Sequence, residues 1–162
     1  MLTTKHALRI YLACTVRGDR GAVSAAREVK TSLERHGHTV LTAHLLDDDV
    51  EAAENRLSEA EVFARDMAWL NGCDALIAEA SGSSFGVGFE VGYVLARSRD
   101  TGQRVYVLYE ASRQPSISRL IPGIDHPACT RLAYSTPGDI RQFVDLHFRR
   151  GADPRPTEPP AD

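Results

Sequence analysis

The sequence predicts an α/β fold in which one parallel sheet lies between two layers of helices. Short apolar segments rich in β-branched residues recur along the chain, and segments with helical periodicity separate them. Strands that alternate with helices are typical of a parallel sheet covered on both faces. A length of 162 residues and a hydrophobic share of 43% fit one ordinary domain. We place that domain at residues 1–149 and predict that the proline-rich acidic residues 150–162 form a disordered tail.

The first part of the chain is predicted to form two strands around one helix. Residues 8–14 (LRIYLAC) make a short apolar strand, and a polar loop with two glycines follows. The next segment has apolar residues at helical spacing and ends at Gly37, a residue type that commonly terminates helices. Residues 38–46 (HTVLTAHLL) are predicted as the second strand.

The middle of the chain is predicted to contain a second helix and a third strand. Residues 47–58 (DDDVEAAENRLS) have no clear period and are predicted to be an acidic connection. A helix over residues 58–73 is favoured because Ser58 and Glu61 have the spacing of a capping box. Residues 74–80 (DALIAEA) then form the third strand.

The remaining segments complete the alternation. A helix begins within SSFGVGFEVGYVLA (83–96), and the fourth and fifth strands are predicted at residues 104–110 and 130–135. A last helix begins near Pro137, since proline is favoured in a first helical turn.

Five such units predict a flavodoxin-like, or Rossmann-like, three-layer fold with a five-stranded parallel sheet in the order 2-1-3-4-5. Ligands of such sheets bind beyond the carboxyl ends of the strands, where the strand order reverses. We therefore expect the loops after Cys14 and Ala80 to face each other across one crevice.

The helix after the third strand carries three glycines, at positions 86, 88 and 92, although each costs about 0.5–1 kcal/mol relative to alanine. A helix N-terminus offers unpaired N–H groups, and Ser84 and Gly86 would let a phosphate approach them closely. For Gly88 and Gly92, close packing of the helix on the sheet is an equally good explanation. The near-match to GxGxxG favours a dinucleotide site only weakly, because that motif follows the first strand of its fold.

Two carboxylates are candidate catalytic groups. Glu90 lies four residues after Gly86, on the same helical face, and its apolar neighbours predict a largely buried helix. A buried carboxylate is costly unless it has a chemical or binding role. Asp66 lies beside an apolar stripe and, taken alone, is better explained as a solvated residue. Two acids near a phosphate site are the groups that glycosidic chemistry requires.

Composition argues against several functional classes. A net charge of −3 and a pI of about 6.1 do not indicate a binder of nucleic-acid polymers. The sequence has no apolar run approaching the ~18 residues of a membrane span and no secretory leader, so we predict no membrane partner. Three cysteines without CxxC spacing predict neither disulfides nor a zinc site, and favour a reduced, cytoplasmic setting.

Four segments resemble the 2′-deoxynucleoside 5′-monophosphate N-hydrolases, which are relatives of the nucleoside 2-deoxyribosyltransferases. They are IYLACTVRGDRG, TAHL, FARDMAWLNGCDALIAEASGSSFGVGFEVGYVLA and ISRLIPG, and the resemblance spans residues 8–148. The most specific part is the pattern S-x-G-V-G-[YF]-E-x-G. The resemblance implies hydrolysis of nucleoside 5′-monophosphates to a free base and a sugar 5-phosphate, without metal or other cofactor.

The resemblance also implies residue roles. Glu90 would be the nucleophile on the anomeric carbon, Asp66 would contact the sugar and assist proton transfer, and Tyr11 would lie near both. The 5′-phosphate would be bound by Ser84 and Gly86, with Ser118 contributed by the neighbouring subunit of a homodimer. Further phosphate-binding candidates are Arg17, Gly18 and Thr15, and further substrate-binding candidates are His44 and Gly88.

One departure concerns the first loop, where Cys14 replaces a glycine usual in the family and so affects the choice of base. Three alternatives stay open. They are a deoxyribosyltransferase, in which a second base replaces water, a CMP-type ribonucleotide hydrolase of nucleoside-antibiotic biosynthesis, and a catalytically silent nucleotide-binding module.

Overall fold

The computed structural model describes residues 6–16, 20–82 and 84–150. Within these ranges the chain forms five strands and five α-helices, with two short 3₁₀ helices at Ala43–Leu46 and Ala111–Ser116. The strands are β1 (Arg9–Ala13), β2 (Thr39–Val40), β3 (Ala75–Glu79), β4 (Arg104–Glu110) and β5 (Cys129–Tyr134). The helices are α1 (Val23–Arg35), α2 (Val50–Glu54), α3 (Glu59–Gly72), α4 (Phe85–Thr101) and α5 (Pro137–Phe148).

The described strands form one parallel sheet in the order β2-β1-β3-β4-β5, which confirms the predicted fold and strand order. Strand β1 lies beside β3, with Tyr11 opposite Leu76 and Ala13 opposite Ala78. Every residue of β3 is buried, as expected for a parallel strand with helices on both faces. The reversal of strand order therefore lies between β1 and β3.

The sheet separates two hydrophobic cores. One includes Leu12, Leu33 and Phe148 and lies on the side of α1 and α5. The other includes Tyr11 and Val94 and lies on the side of α3 and α4. Because successive strand residues point to opposite faces, Tyr11 faces α3 and α4 while its neighbour Leu12 faces α1.

The predicted second strand is wrong beyond Val40. Only Thr39 and Val40 pair with β1 as a strand, and the 3₁₀ helix Ala43–Leu46 occupies the rest of the predicted segment. The cause is Thr42, whose hydroxyl accepts a hydrogen bond from Leu12 N at 3.0 Å and donates one to Leu12 O at 2.7 Å. A side chain thus satisfies the backbone groups that a longer β2 would have paired.

The predicted acidic connection also needs correction, because it contains the short helix α2. The capping box at Ser58 and Glu61 is present, and α3 ends at Gly72 as predicted. Of the other expectations, the roles of Arg17 and Gly18 and the disordered state of residues 151–162 fall outside the described residues. In the described ranges, no helix has both the length and the apolar character needed to cross a bilayer.

Candidate active site

A cavity of about 440 Å³ opens at the carboxyl ends of β1 and β3, within the usual size range of small-molecule sites. Both loops at the reversal point contribute to it, so the predicted crevice is confirmed. From the loop and helix after β3 come Ser84, Gly86, Val87, Phe89 and Glu90, and from the segment after β1 come Cys14 and Val16. The remaining wall consists of Leu45, Glu54, Leu57, Glu59, Val62, Phe63, Asp66, Met67 and Leu70.

Glu90 lines this cavity, and Tyr11 is buried beside Glu90, outside the described lining. The Tyr11 hydroxyl, held by the central strand β1, donates a hydrogen bond of 2.6 Å to Glu90 Oε1. Burial raises the pKa of Glu90 to about 7, with a smaller rise from the Asp66 charge, although the Tyr11 hydrogen bond opposes both. Burial and the Glu90 charge also raise the pKa of Tyr11, so this phenol stays protonated and remains a donor. At neutral pH a substantial share of Glu90 is therefore an oriented carboxylate.

Asp66 lines the same cavity from α3. Its side chain is 23% exposed, so the fully solvated aspartate considered from the sequence is not what the structure shows. Burial raises the pKa of Asp66, and a hydrogen bond of 2.9 Å from Arg65 Nε opposes that rise. The structure thus brings the two predicted carboxylates to one cavity, on facing helices.

The N-terminus of α4 forms another part of the wall. Ser84 is the N-cap, and its hydroxyl accepts a hydrogen bond from Val87 N at 3.4 Å. The nearest atom to a Cβ built on Gly86 is Ser84 Oγ, at 3.7 Å, so the space beside this backbone is open. Since helix N-termini attract anions through their unpaired N–H groups, this end of the cavity suits a phosphate.

Gly88 and Gly92 do not have the packing role considered above. Among the described residues, nothing lies within 4 Å of a Cβ built on either glycine. Both are exposed, and Phe89 beside them is 52% exposed, so the prediction of a largely buried helix is wrong for this face. Phe63 of α3 and Phe85 of α4 are also exposed, at 60% and 103%. We call Phe63, Phe85, Gly88, Phe89 and Gly92 the exposed α3–α4 face.

The other candidates lie outside the described lining of the cavity. Thr15 is buried directly after β1, and its Oγ1 has no hydrogen-bond partner among the described residues. His44 contacts Glu54 Oε1 through Nε2 at 3.2 Å instead of facing the cavity. Ser118 is exposed in a turn, where its Oγ accepts a hydrogen bond from Leu120 N at 3.4 Å. Gly88 belongs to the exposed α3–α4 face.

Sequence reasoning missed a charged cluster behind Asp66. Glu54 accepts hydrogen bonds from both terminal nitrogens of Arg65, at 2.7 and 3.1 Å, and Trp69 packs under the guanidinium, 5.0 Å from its ring centroid. The helix that carries Glu54 was predicted as a connection, so no periodicity pointed to this residue. Cys14, by contrast, was singled out; burial raises its pKa to about 11, which leaves a neutral thiol at the wall.

No group of three or more His, Cys, Asp or Glu side chains in the described part of the chain is arranged to hold a metal ion. The cavity brings together a hydrogen-bonded carboxylate, a second carboxylate and a helix N-terminus. These groups can attack, orient and neutralise an anionic sugar derivative.

Comparisons with known proteins agree with this arrangement. A model of the nucleoside 2-deoxyribosyltransferase family matches residues 10–126. A Thermofilum pendens protein, provisionally named 2′-deoxynucleoside 5′-phosphate N-hydrolase 1, is 39% identical over 138 residues, which cover 85% of this chain and 93% of that protein. A 5-hydroxymethyl-dUMP N-hydrolase of Esox lucius is 31% identical over 119 residues, covering 72% of this chain and 79% of the relative.

A solved structure shares the fold. The Clostridium botulinum CMP N-glycosidase superposes with a TM-score of 0.63 at 20% identity, covering 86% of this chain and 99% of that one. The family model matches most of the chain, and the Thermofilum pendens relative is 39% identical over 93% of its length, so the chain belongs to the nucleoside 2-deoxyribosyltransferase family.

Proposed function

We propose that the chain is an N-glycosidase that hydrolyses (2′-deoxy)nucleoside 5′-monophosphates to a free base and a (deoxy)ribose 5-phosphate. The observation that carries the proposal is the Glu90 carboxylate, oriented by Tyr11 in a cavity that also contains the N-terminus of α4. The N-hydrolase names of the two relatives described above support the same reaction class.

The placement of the groups fits the length of a nucleotide. A 5′-phosphate bound by Ser84 and Gly86 at the start of α4 leaves the sugar about one helical turn further on, where Glu90 lies. The base would then contact the wall formed by α3 and the segment after β2, which includes Leu45 and Phe63.

The reaction proceeds in two displacements. A Glu90 oxygen bonds to C1′ as the N-glycosidic bond breaks, and the departing base takes a proton from Asp66 or from water. Water then attacks C1′ and passes a proton to solvent as the glycosyl–Glu90 ester bond breaks, which releases the sugar 5-phosphate and restores the Glu90 carboxylate. Tyr11 keeps the attacking carboxylate in one orientation throughout. Because the pKa of Glu90 is about 7, the nucleophile is ionised in the upper part of the physiological pH range.

A homodimer that shares its sites completes the proposal, with Ser118 reaching the phosphate of the neighbouring subunit. Ser118 is exposed and lies outside the described lining of its own cavity, while Leu120, two residues away, is 78% exposed. The exposed α3–α4 face borders the cavity through Phe63 and Phe89. A second copy covering that face would bury these side chains. Contacts from Thr15, Arg17, Gly18 and His44 stay predictions, as does a cytoplasmic location, which the three free cysteines support.

The test is release of base from a panel of purified ribo- and deoxyribonucleoside 5′-monophosphates, followed by chromatography. Glu90→Gln keeps the shape of the side chain and removes the nucleophile, so we expect turnover to fall by about 10³-fold or more. Glu51→Gln is the matched control, because Glu51 is an exposed glutamate on α2 outside the described lining of the cavity, and it should keep wild-type turnover. Near-wild-type turnover in Glu90→Gln contradicts the mechanism.

A transferase, in which a second base replaces water, is the second candidate, because the matching family model is that of the nucleoside 2-deoxyribosyltransferases. Adding a free acceptor base to the same reactions distinguishes the two functions. A new nucleoside or nucleotide carrying the added base indicates transfer, whereas free sugar 5-phosphate alone indicates hydrolysis.

A further inference from the structure

Arg65 occupies an unusual place between two carboxylates. Its two terminal nitrogens donate to the two oxygens of Glu54, and its Nε donates to Asp66 Oδ1 at 2.9 Å. The guanidinium also lies over the Trp69 ring, 5.0 Å from its centroid. The edges of the guanidinium therefore contact Glu54 and Asp66, and one of its faces contacts Trp69. The Arg65 side chain is only 21% exposed.

Helix geometry alone does not bring Arg65 and Asp66 into contact. Adjacent helix residues point in directions about 100° apart and do not normally face each other. Arg65 reaches Asp66 because Glu54 of α2 and Trp69, one turn along α3, hold its guanidinium back against the helix. The position of the Asp66 carboxylate thus depends on Arg65, which is fixed both by Glu54 of α2 and by Trp69 of α3.

Glu54 is a firm anchor for this arrangement. Its side chain is 10% exposed, and its Oε1 also lies 3.2 Å from His44 Nε2, so α2 and the 3₁₀ helix Ala43–Leu46 are tied to α3. The bidentate contact with Arg65 holds the pKa of Glu54 below its usual range. Glu54 is consequently ionised at neutral pH, and a bidentate pair with arginine is the most directional of the charged contacts.

From this geometry we propose that Arg65 is a positioning residue, which Glu54 and Trp69 clamp so that it holds the Asp66 carboxylate ionised and fixed at the cavity wall. The inference rests on the proposed function and narrows it, since an ionised Asp66 acts as the oriented acceptor for a sugar hydroxyl and the departing base takes its proton from water. Arg65 itself lies outside the described lining of the cavity and acts through Asp66.

The charges around Asp66 support this assignment. Arg65 is on its own helix, Glu54 on α2, His44 on the 3₁₀ helix, Glu90 on α4 and Tyr11 on β1. Burial raises the pKa of Asp66, and Arg65 provides the strongest opposing effect, ahead of His44. Without Arg65 the burial effect is nearly unopposed, and Asp66 takes up a proton at higher pH.

The experiment compares Arg65→Met and Arg65→Lys with Arg97→Met in the full chain. Arg97 is the matched control, because its guanidinium also stacks on an aromatic ring, that of Tyr93 at 5.0 Å, but donates its hydrogen bonds to Asn71 and Tyr93 instead of to a carboxylate. Carboxylate ¹³C NMR, assigned with Asp66→Asn, follows the titration of Asp66. Base release from the preferred monophosphate gives kcat and KM.

We expect Asp66 to titrate at higher pH in Arg65→Met than in the wild type. In Arg65→Lys its titration should lie close to that of the wild type, and in Arg97→Met it should be unchanged. The kcat of Arg65→Met should fall about tenfold or more while KM changes less than about twofold, because the phosphate end of the cavity is untouched. Glu54→Gln, which keeps Arg65 but weakens its anchor, should show the same changes to a smaller degree.

An unchanged Asp66 titration in Arg65→Met overturns the proposal. In that case a fall in kcat together with lower thermal stability would mean that Arg65 has only a structural role. Should Arg65→Met fail to fold, Arg65→Lys and Glu54→Gln decide the matter by the same titration. If the wild type releases no base from any nucleotide, the proposed function fails, whereas the NMR titration still decides the role of Arg65.

Discussion

Glu90 illustrates how a single residue is tuned by opposing effects. Burial and the nearby Asp66 favour its protonated form, and the Tyr11 hydrogen bond favours the carboxylate. The balance gives a pKa of about 7, well above the ordinary value of 4.5 for a glutamic acid. A nucleophile with this pKa is more basic than a surface glutamate and still ionised in useful amounts at neutral pH.

Tyr11→Phe should separate these effects. Loss of the hydrogen bond removes the interaction that lowers the pKa of Glu90, so that pKa rises above 7. The acid limb of kcat/KM then moves to higher pH, and activity at pH 7 falls about tenfold, the size expected for a hydrogen bond to a charged group. The measurement is a pH–rate profile.

Tyr134→Phe is the control for that profile. Tyr134 is also a buried tyrosine that donates to a buried glutamate, Glu79, at 2.8 Å, but neither residue lines the described cavity. Its loss should lower stability and leave the acid limb in place. An identical limb in Tyr11→Phe and the wild type would contradict the assigned role of Tyr11.

The sequence pattern pointed to some of the site residues, the family resemblance to others, and neither to the rest. Glu90 stood out because a carboxylate followed a glycine-rich helix start in an apolar segment, whereas Tyr11 and Asp66 depended on the family resemblance. Arg65 and Glu54 escaped notice because their pairing joins two helices whose relative placement is a tertiary property. The long-range hydrogen bond between Tyr11 and Glu90 follows only once β1 is known to lie under α4.

At the scale of elements, the start of α4 combines a structural cap with the proposed phosphate site. Ser84→Ala should destabilise the chain by about 1 kcal/mol, the usual loss for an N-cap, and should also raise KM for a nucleoside 5′-monophosphate about tenfold. Urea unfolding and steady-state kinetics measure the two effects. Both are expected because one hydroxyl serves the helix and the ligand.

Ser58→Ala provides the comparison. Ser58 caps α3 in a similar way, since its hydroxyl accepts a hydrogen bond from Glu61 N at 3.3 Å, but it lies outside the described lining of the cavity. It should lose a similar free energy of unfolding and keep its KM. Equal KM values for the two variants would argue against phosphate binding at Ser84.

The elements that the sequence predicted well are those with a long or strongly apolar pattern. Helix α3 had a capping box as well as a period, and β4 was predicted with its observed bounds, Arg104–Glu110. Helix α2 was missed because its five residues are too few to show a period. The second strand was overextended because Leu41, Leu45 and Leu46 fit a strand pattern, while the hydroxyl of Thr42 ended the pairing.

At the scale of the whole molecule, shared active sites can be tested by mixing inactive subunits. If Ser118 acts across the dimer, a mixed dimer of Glu90→Gln and Ser118→Ala chains has one site with neither substitution. Mixing the two variants, with subunit exchange allowed, should then give activity above that of either alone at low substrate concentration. No gain, despite mixed dimers detected by native mass spectrometry, would place Ser118 outside the partner's site.

The brevity of β2 has a consequence for how proteins of this architecture diversify. Residues 41–57 contribute Leu45, Glu54 and Leu57 to the cavity but pair with the sheet mainly through the Thr42 side chain. Insertions or replacements there can remodel the pocket while Tyr11 and Glu90 stay anchored to the central strand and the long helix. With Glu54 kept as the partner of Arg65, the rest of this segment can therefore change substrate choice without altering the residues proposed to break the bond.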